Sequence, residues 1–152
     1  MPRKEKLKNK DDVIELLTPV ISKKLELPEA VSKISAGFPS PAEDYIDRRL
    51  DLNEYLIQHP AATFFVRVTG ESMIHAGINS GDLLIVDRAL TPKNNSIVLA
   101  VLDGEFTVKR LTYRKDKVFL VPENDTYNDI EITGEMQFEV WGVVTNVIHK
   151  VC

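Results

Sequence analysis

Cysteine is almost missing from this chain: of 152 residues only Cys152 carries a thiol. A lone thiol makes no internal disulfide framework, and without a CxxC spacing there is no thiolate zinc site. The three histidines, His59, His75 and His149, are scattered and form no HxxxH or HExxH pattern, so neither a metal nor another cofactor is expected. Glycine is sparse as well. The one clustered stretch, "GINSGD", has the wrong spacing for a phosphate-binding loop and lacks its lysine. No apolar run approaches the ~20 residues that span a bilayer, and the charged N-terminus has no signal-peptide core. A cytoplasmic protein with no membrane attachment is therefore expected. Basic excess is missing too, the net charge being −4. Only "PRKEKLKNK" at the start is basic and it reads as a solvated tail, so direct specific DNA binding by the folded part is not expected.

Hydrophobic residues make up 43% of the chain and charged residues 28%, enough for one ordinary domain with a buried core. Residues 1–36 differ in character from the rest. In "DDVIELLTPVISKKLELPEAVSKIS" the apolar residues Val13, Leu16 and Leu17 have helical spacing, but Pro19 and Pro28 break it. We expect short helical pieces joined by extended chain, a flexible arm rather than a helix-turn-helix domain. "GFPSP" then excludes regular structure, because Pro39 and Pro41 fix φ and remove donors. "DLNEYLIQ" has Asp51 followed by Glu54 in a capping-box arrangement, with Leu52, Tyr55 and Leu56 on one face, and Pro60 ends it.

From Thr63 the pattern changes to period two with β-branched residues. "TFFVRVT", "DLLIVD", "SIVLAVLD", "EFTVKRLT", "KVFLV" and "FEVWGVVTNVIH" all read as strands. Asp103-Gly104 between the third and fourth signals a tight hairpin. The expected fold is mainly β, a strongly curved sheet or partly closed barrel with one short helix and the N-terminal arm.

Two residues within these strands and turns could carry chemistry. Ser72, in "GESM", follows Gly70 in a turn between two apolar strands, where nearby amides could face an oxyanion. Lys109, in "EFTVKRL", shares a strand face with Thr107 and Leu111. Periodicity alone leaves Ser72 an ordinary turn residue and Lys109 a lysine on the solvent face of a hairpin. The alternative is a desolvated, neutral amine that takes the serine's proton, a Ser–Lys nucleophile pair. His75, three residues from Ser72, is a poor candidate for the base.

"GFPSPAEDYIDRRLDLNEYLIQHPAATFFVRVTGESMIHAGINSGDLLIVDRAL", then "DGEFTVKRL" and "FEVWGVVTNVI", closely resembles the UmuD family of bacterial SOS-mutagenesis proteins. These are relatives of the self-cleaving domains of the LexA repressor and phage repressors. The resemblance runs from about residue 35 to 149, with the Ser–Met turn, the "GDLLIVD" strand, the hairpin and the terminal strand in order.

The resemblance implies an autoproteolytic serine peptidase in which Ser72 is the nucleophile and Lys109 the general base. It implies a scissile bond at Ala36-Gly37, where best-known UmuD proteins carry Cys-Gly and LexA-like repressors Ala-Gly. Residues 1–36 would then be a removable arm and 37–152 the peptidase and polymerase-accessory domain. A RecA filament on single-stranded DNA would promote the cut, and the shortened, homodimeric form would serve a Y-family, UmuC-like polymerase in translesion synthesis. The competing expectations are a non-catalytic binding subunit of the same fold and a LexA-like repressor fragment. The arm departs from the family in its length.

Overall fold

A computed structural model describes residues 13–21, 24, 26–30 and 46–152. It divides into two compact units, the described part of Met1–Pro19 together with His59–Cys152, and Val20–Gln58. The smaller unit pairs strands β2 (Glu26–Ala30) and β3 (Ile46–Asp51) antiparallel, and runs straight into helix α1 (Leu52–Leu56). The junction is the cap anticipated from the sequence: the Asn53 amide donates to Asp51 Oδ1 at 2.9 Å. That satisfies one of the orphan donors at a helix start. Tyr55 of this helix is exposed rather than on an apolar face.

In the larger unit, β1 (Val13–Leu17), β4 (Thr63–Val68), β5 (Leu83–Asp87), β6 (Ile97–Leu102), β7 (Glu105–Arg114), β8 (Lys117–Val121), β9 (Ile130–Ile132) and β10 (Phe138–Ile148) form one antiparallel sheet. The spatial order is β1-β4-β5-β10-β6-β7-β8-β9. The six segments with alternating, β-branched sequence are all strands, as expected, and the protein is mainly β with one short helix. The arm departs from expectation: residues 13–17 form an edge strand on β4, not a helical piece. Five residues ended by Pro19 cannot complete a stable helix, whereas an unpaired sheet edge offers them a ladder.

The β6–β7 hairpin turns at Asp103 (φ 49°) and Gly104 (φ 84°), both left-handed as a type I′ turn requires. Strand β10 lies between β5 and β6 and carries two register shifts, between Val140 and Gly142 and between Val144 and Asn146. Such bulges bend a strand and increase its twist. Gly142 is needed at the first: an added Cβ would stand 2.5 Å from Val86 Cγ1. Beside it, Trp141 meets Phe64 edge-on at 4.8 Å and Phe106 at 5.8 Å, under the Arg88 guanidinium.

Two apolar clusters fill this unit. One gathers Val66, Val68, Met73, Ile78, Leu84, Val86, Leu99 and Val108, and the other Val98, Ala100, Leu111 and Leu120. Val108 and Leu111 of β7 fall in different clusters, so this strand is covered on both faces.

Candidate active site

Ser72 sits in the connection from β4 to β5, which is folded tightly by its own main chain. Gly70 takes φ 93° and Gly81 φ 92°, backbone that favours glycine. The Gly81 amide donates to Val68 O at 2.8 Å, and the Val68 amide donates to Asp82 O at 3.2 Å, closing the loop at its base. Asp82, nearly buried, accepts from the Asn79 amide and pairs with His149 Nδ1 at 2.6 Å. Met73 and Ile78 insert into the first apolar cluster, which pins the turn from below. Ser72 is thereby 1% exposed.

A second segment, residues 122–124, brackets the serine from the far side. The Glu123 amide donates to Ser72 O at 2.7 Å, Glu123 O accepts from the His75 amide at 2.9 Å, and Asn124 Nδ2 donates to Glu71 O at 2.8 Å. The Glu123 carboxylate is ion-paired to Arg110 of β7, whose Nη1 also donates to Asn95 O at 2.7 Å. The position next to Arg110 on the strand is Lys109.

Lys109 is 0% exposed, which overturns the solvent-face reading that alternation alone suggests. Its Nζ lies 2.9 Å from Ser72 Oγ, 2.8 Å from Thr107 Oγ1 and 3.0 Å from Val108 O. The two residues singled out in the sequence, 37 positions apart, therefore meet in a buried contact. His75 is exposed. Thr107 was legible as a neighbour of Lys109, since residues two apart on a strand share a face. No local pattern signals the Arg110–Glu123 and Asn124 contacts, because they close through space. A small cleft next to the serine turn is lined by Val68, Thr69, Gly70, Met73, Ile78 and Val108. Ala36 and Gly37 lie outside the described residues. Among the described residues no group of acidic, histidine or cysteine side chains is arranged to hold a metal. No described helix is long and apolar enough to cross a membrane.

A serine hydroxyl against a desolvated lysine amine is the pairing with which serine–lysine hydrolases activate their nucleophile. The chain belongs to the Peptidase S24-like family, which it matches over residues 28–145, and within it to the UmuD-like group. It is 50% identical to Protein ImpA of Salmonella typhimurium over 123 residues, covering 81% of this chain and 83% of the relative. It is 46% identical to Protein MucA of Escherichia coli over 129 residues, 83% of this chain and 88% of the relative. The LexA repressor of Glaesserella parasuis is 35% identical over 121 residues, which cover 79% of this chain but 57% of the repressor.

Proposed function

We propose that this protein is a single-use, self-cleaving serine peptidase of SOS mutagenesis that cuts its own chain between Ala36 and Gly37. The observation that carries the reading is the 2.9 Å contact between Lys109 Nζ and Ser72 Oγ inside a site closed to solvent. Removing an ammonium from water favours its neutral form. The hydrogen bonds fit that form. Val108 O can only accept, so it takes one N–H, and Thr107 Oγ1 takes the other. In that neutral form the nitrogen lone pair would accept the Ser72 hydroxyl proton across the 2.9 Å contact.

The reaction proceeds in balanced steps. Lys109 removes the Ser72 proton as Oγ bonds to the carbonyl carbon of Ala36, and main-chain amides of the serine turn hold the resulting oxyanion. The tetrahedral centre collapses, the bond to the Gly37 nitrogen breaks, and the Lys109 ammonium returns its proton to that leaving amine. Water then gives a proton to Lys109 and attacks the ester, and Ser72 leaves with the proton restored. A side chain as small as alanine suits a narrow site, and a small cleft lined by Gly70 and Met73 lies next to the serine turn.

In this reading residues 1–36 are the arm and 37–152 the domain that remains. The family implies that a RecA filament on single-stranded DNA stimulates the cut. It also implies that the shortened protein, as a homodimer in the cytoplasm, assists a Y-family UmuC-like polymerase. The test is to incubate the purified protein at raised pH, or with activated RecA filament, and measure fragment masses. A single cut at Ala36-Gly37 is expected, and none in Ser72→Ala or Lys109→Ala. Cutting that persists in Ser72→Ala rules out this nucleophile.

A further inference from the structure

Strand β10 runs antiparallel to β5, with Val144 opposite Val86, Asn146 opposite Ile85, Val147 opposite Leu84 and Ile148 opposite Leu83. The register slips by one residue between Val144 and Asn146. Without that bulge Ile148 would come level with Asp82; with it the next residue, His149, does. The contact follows from the register: His149 Nδ1 stands 2.6 Å from Asp82 Oδ1, the ring half exposed and the carboxylate buried.

Asp82 is the closing residue of the serine loop. Its Oδ2 accepts from the Asn79 amide at 2.8 Å, and its own amide donates to Asn79 O at 3.1 Å. The next amide back, that of Ile78, donates to Met73 O at 3.2 Å, and Met73 follows Ser72. An ionised carboxylate only accepts, so the ring presents an N–H at Nδ1. We propose that His149 is a positioning residue for Ser72: by engaging one oxygen of Asp82 it keeps the other on the Asn79 amide, and so fixes the far side of the loop that carries the candidate nucleophile. A buried carboxylate that loses a partner turns towards water, and here that turn releases Asn79. The effect on cleavage rests on the peptidase reading above, whereas the hold on the loop does not.

A matched pair closes the other end of β5. His59 Nδ1 stands 2.6 Å from Asp87 Oδ2, again a half-exposed ring on a buried carboxylate, and Asp87 Oδ1 accepts from the Ala89 amide at 2.8 Å. The chemistry is the same, but five residues of strand separate the two aspartates by roughly 16 Å, and this pair holds residues 87–89 instead of the serine loop. It is therefore an internal control. A lost histidine–aspartate bond that acts through stability alone would act alike from either end of the strand.

The test compares the full chain with three variants: His149→Phe, which keeps a ring and loses the donor; His149→Asn, whose Nδ2 can stand where Nδ1 stood; and His59→Phe. Self-cleavage is timed at raised pH by fragment mass. Amide exchange is followed by NMR in the Ser72→Ala background, so that no chain is cut. His149→Phe is expected to cut about tenfold more slowly than the parent, with the Asn79 amide exchanging about tenfold faster and those of β6 and β7 unchanged. His149→Asn is expected to return both readouts to within about threefold of the parent. His59→Phe is expected to leave both within about threefold, since sites more than about 10 Å apart act independently. If His149→Phe does not fold, His149→Ala, which adds no bulk, must show the same two changes. Cutting at the parent rate without the His149 donor, equal slowing by His59→Phe, no recovery in His149→Asn, or an Asn79 amide that exchanges at the parent rate overturns the proposal. Failure of the parent to cut itself removes the peptidase reading, and exchange at Asn79 alone then decides whether His149 holds the loop.

Discussion

Glu123 holds Arg110 with its carboxylate and Ser72 with its main chain. It therefore ties the strand that carries Lys109 to the turn that carries the candidate nucleophile. The pair is about 30% exposed on each side, 28% for Arg110 and 30% for Glu123, so its direct contribution to stability is small. Its effect on geometry is larger, because a misplacement of about 1 Å between reacting groups can cost about 100-fold in rate. Arg110→Ala is expected to slow self-cleavage by about 10- to 100-fold while shifting the denaturation midpoint only slightly, with partial recovery in Arg110→Lys. Cleavage at the parent rate would separate this ion pair from the chemistry.

Thr107 offers a second handle. Thr107→Val keeps the shape and removes the oxygen that faces Lys109 Nζ, leaving a buried N–H without that partner. Such a loss costs about 1–3 kcal/mol. We expect cleavage to fall by roughly tenfold or more and Thr107→Ser to restore it, as followed by fragment mass over time.

The pH dependence has a definite sign. In the proposed mechanism the reactive form of the pair has Lys109 neutral, so protons should inhibit: cleavage is expected to be slow where the amine is protonated and to rise with pH as it loses its proton. Lys109→Arg should be inactive across the whole range, because a guanidinium stays charged to pH above about 12. A rate that falls as pH rises would mean that the protonated amine is the active form, and would exclude lysine as the base.

Gly142 tests the sheet rather than the site. With Val86 Cγ1 and the Asp87 carbonyl already against it, Gly142→Ala overpacks a fully buried neighbour. A loss of about 1–3 kcal/mol is expected in denaturant unfolding. The Ser72–Lys109 distance should survive in the folded fraction.

Much of this was legible in the sequence because β4 to β8 and β10 are short runs of β-branched and aromatic residues between turn signals, although β5 and β6 are apolar runs buried almost throughout rather than alternating. The misreadings have physical causes. Val13, Leu16 and Leu17 match a helical face as well as a strand, and only the vacancy beside β4 decides between them. Strand β9 has three residues, Ile130 to Ile132, too few for a period. Lys109 looked exposed because alternation says which residues share a face and not whether that face is covered. Ser72 and Lys109 were legible from the residues as one possible pair, and the family resemblance made that the favoured reading. The 122–124 bracket was not legible at all, since two of its bonds run from main chain to main chain and the Asn124 and Arg110–Glu123 contacts close across the fold, outside any local pattern.

Strand β10 has a consequence for timing. The serine turn belongs to the β4–β5 ladder and the lysine to the β6–β7 ladder, and these ladders are joined in the sheet only through β10. Yet β10 follows every other strand of that sheet in the chain. During synthesis the two ladders are made early, and the strand that joins them in the sheet is absent until residues 138–148 have emerged. In the self-cleavage reading, a nascent chain would hold both side chains before the strand that joins their ladders exists, and cutting would await residues 138–148.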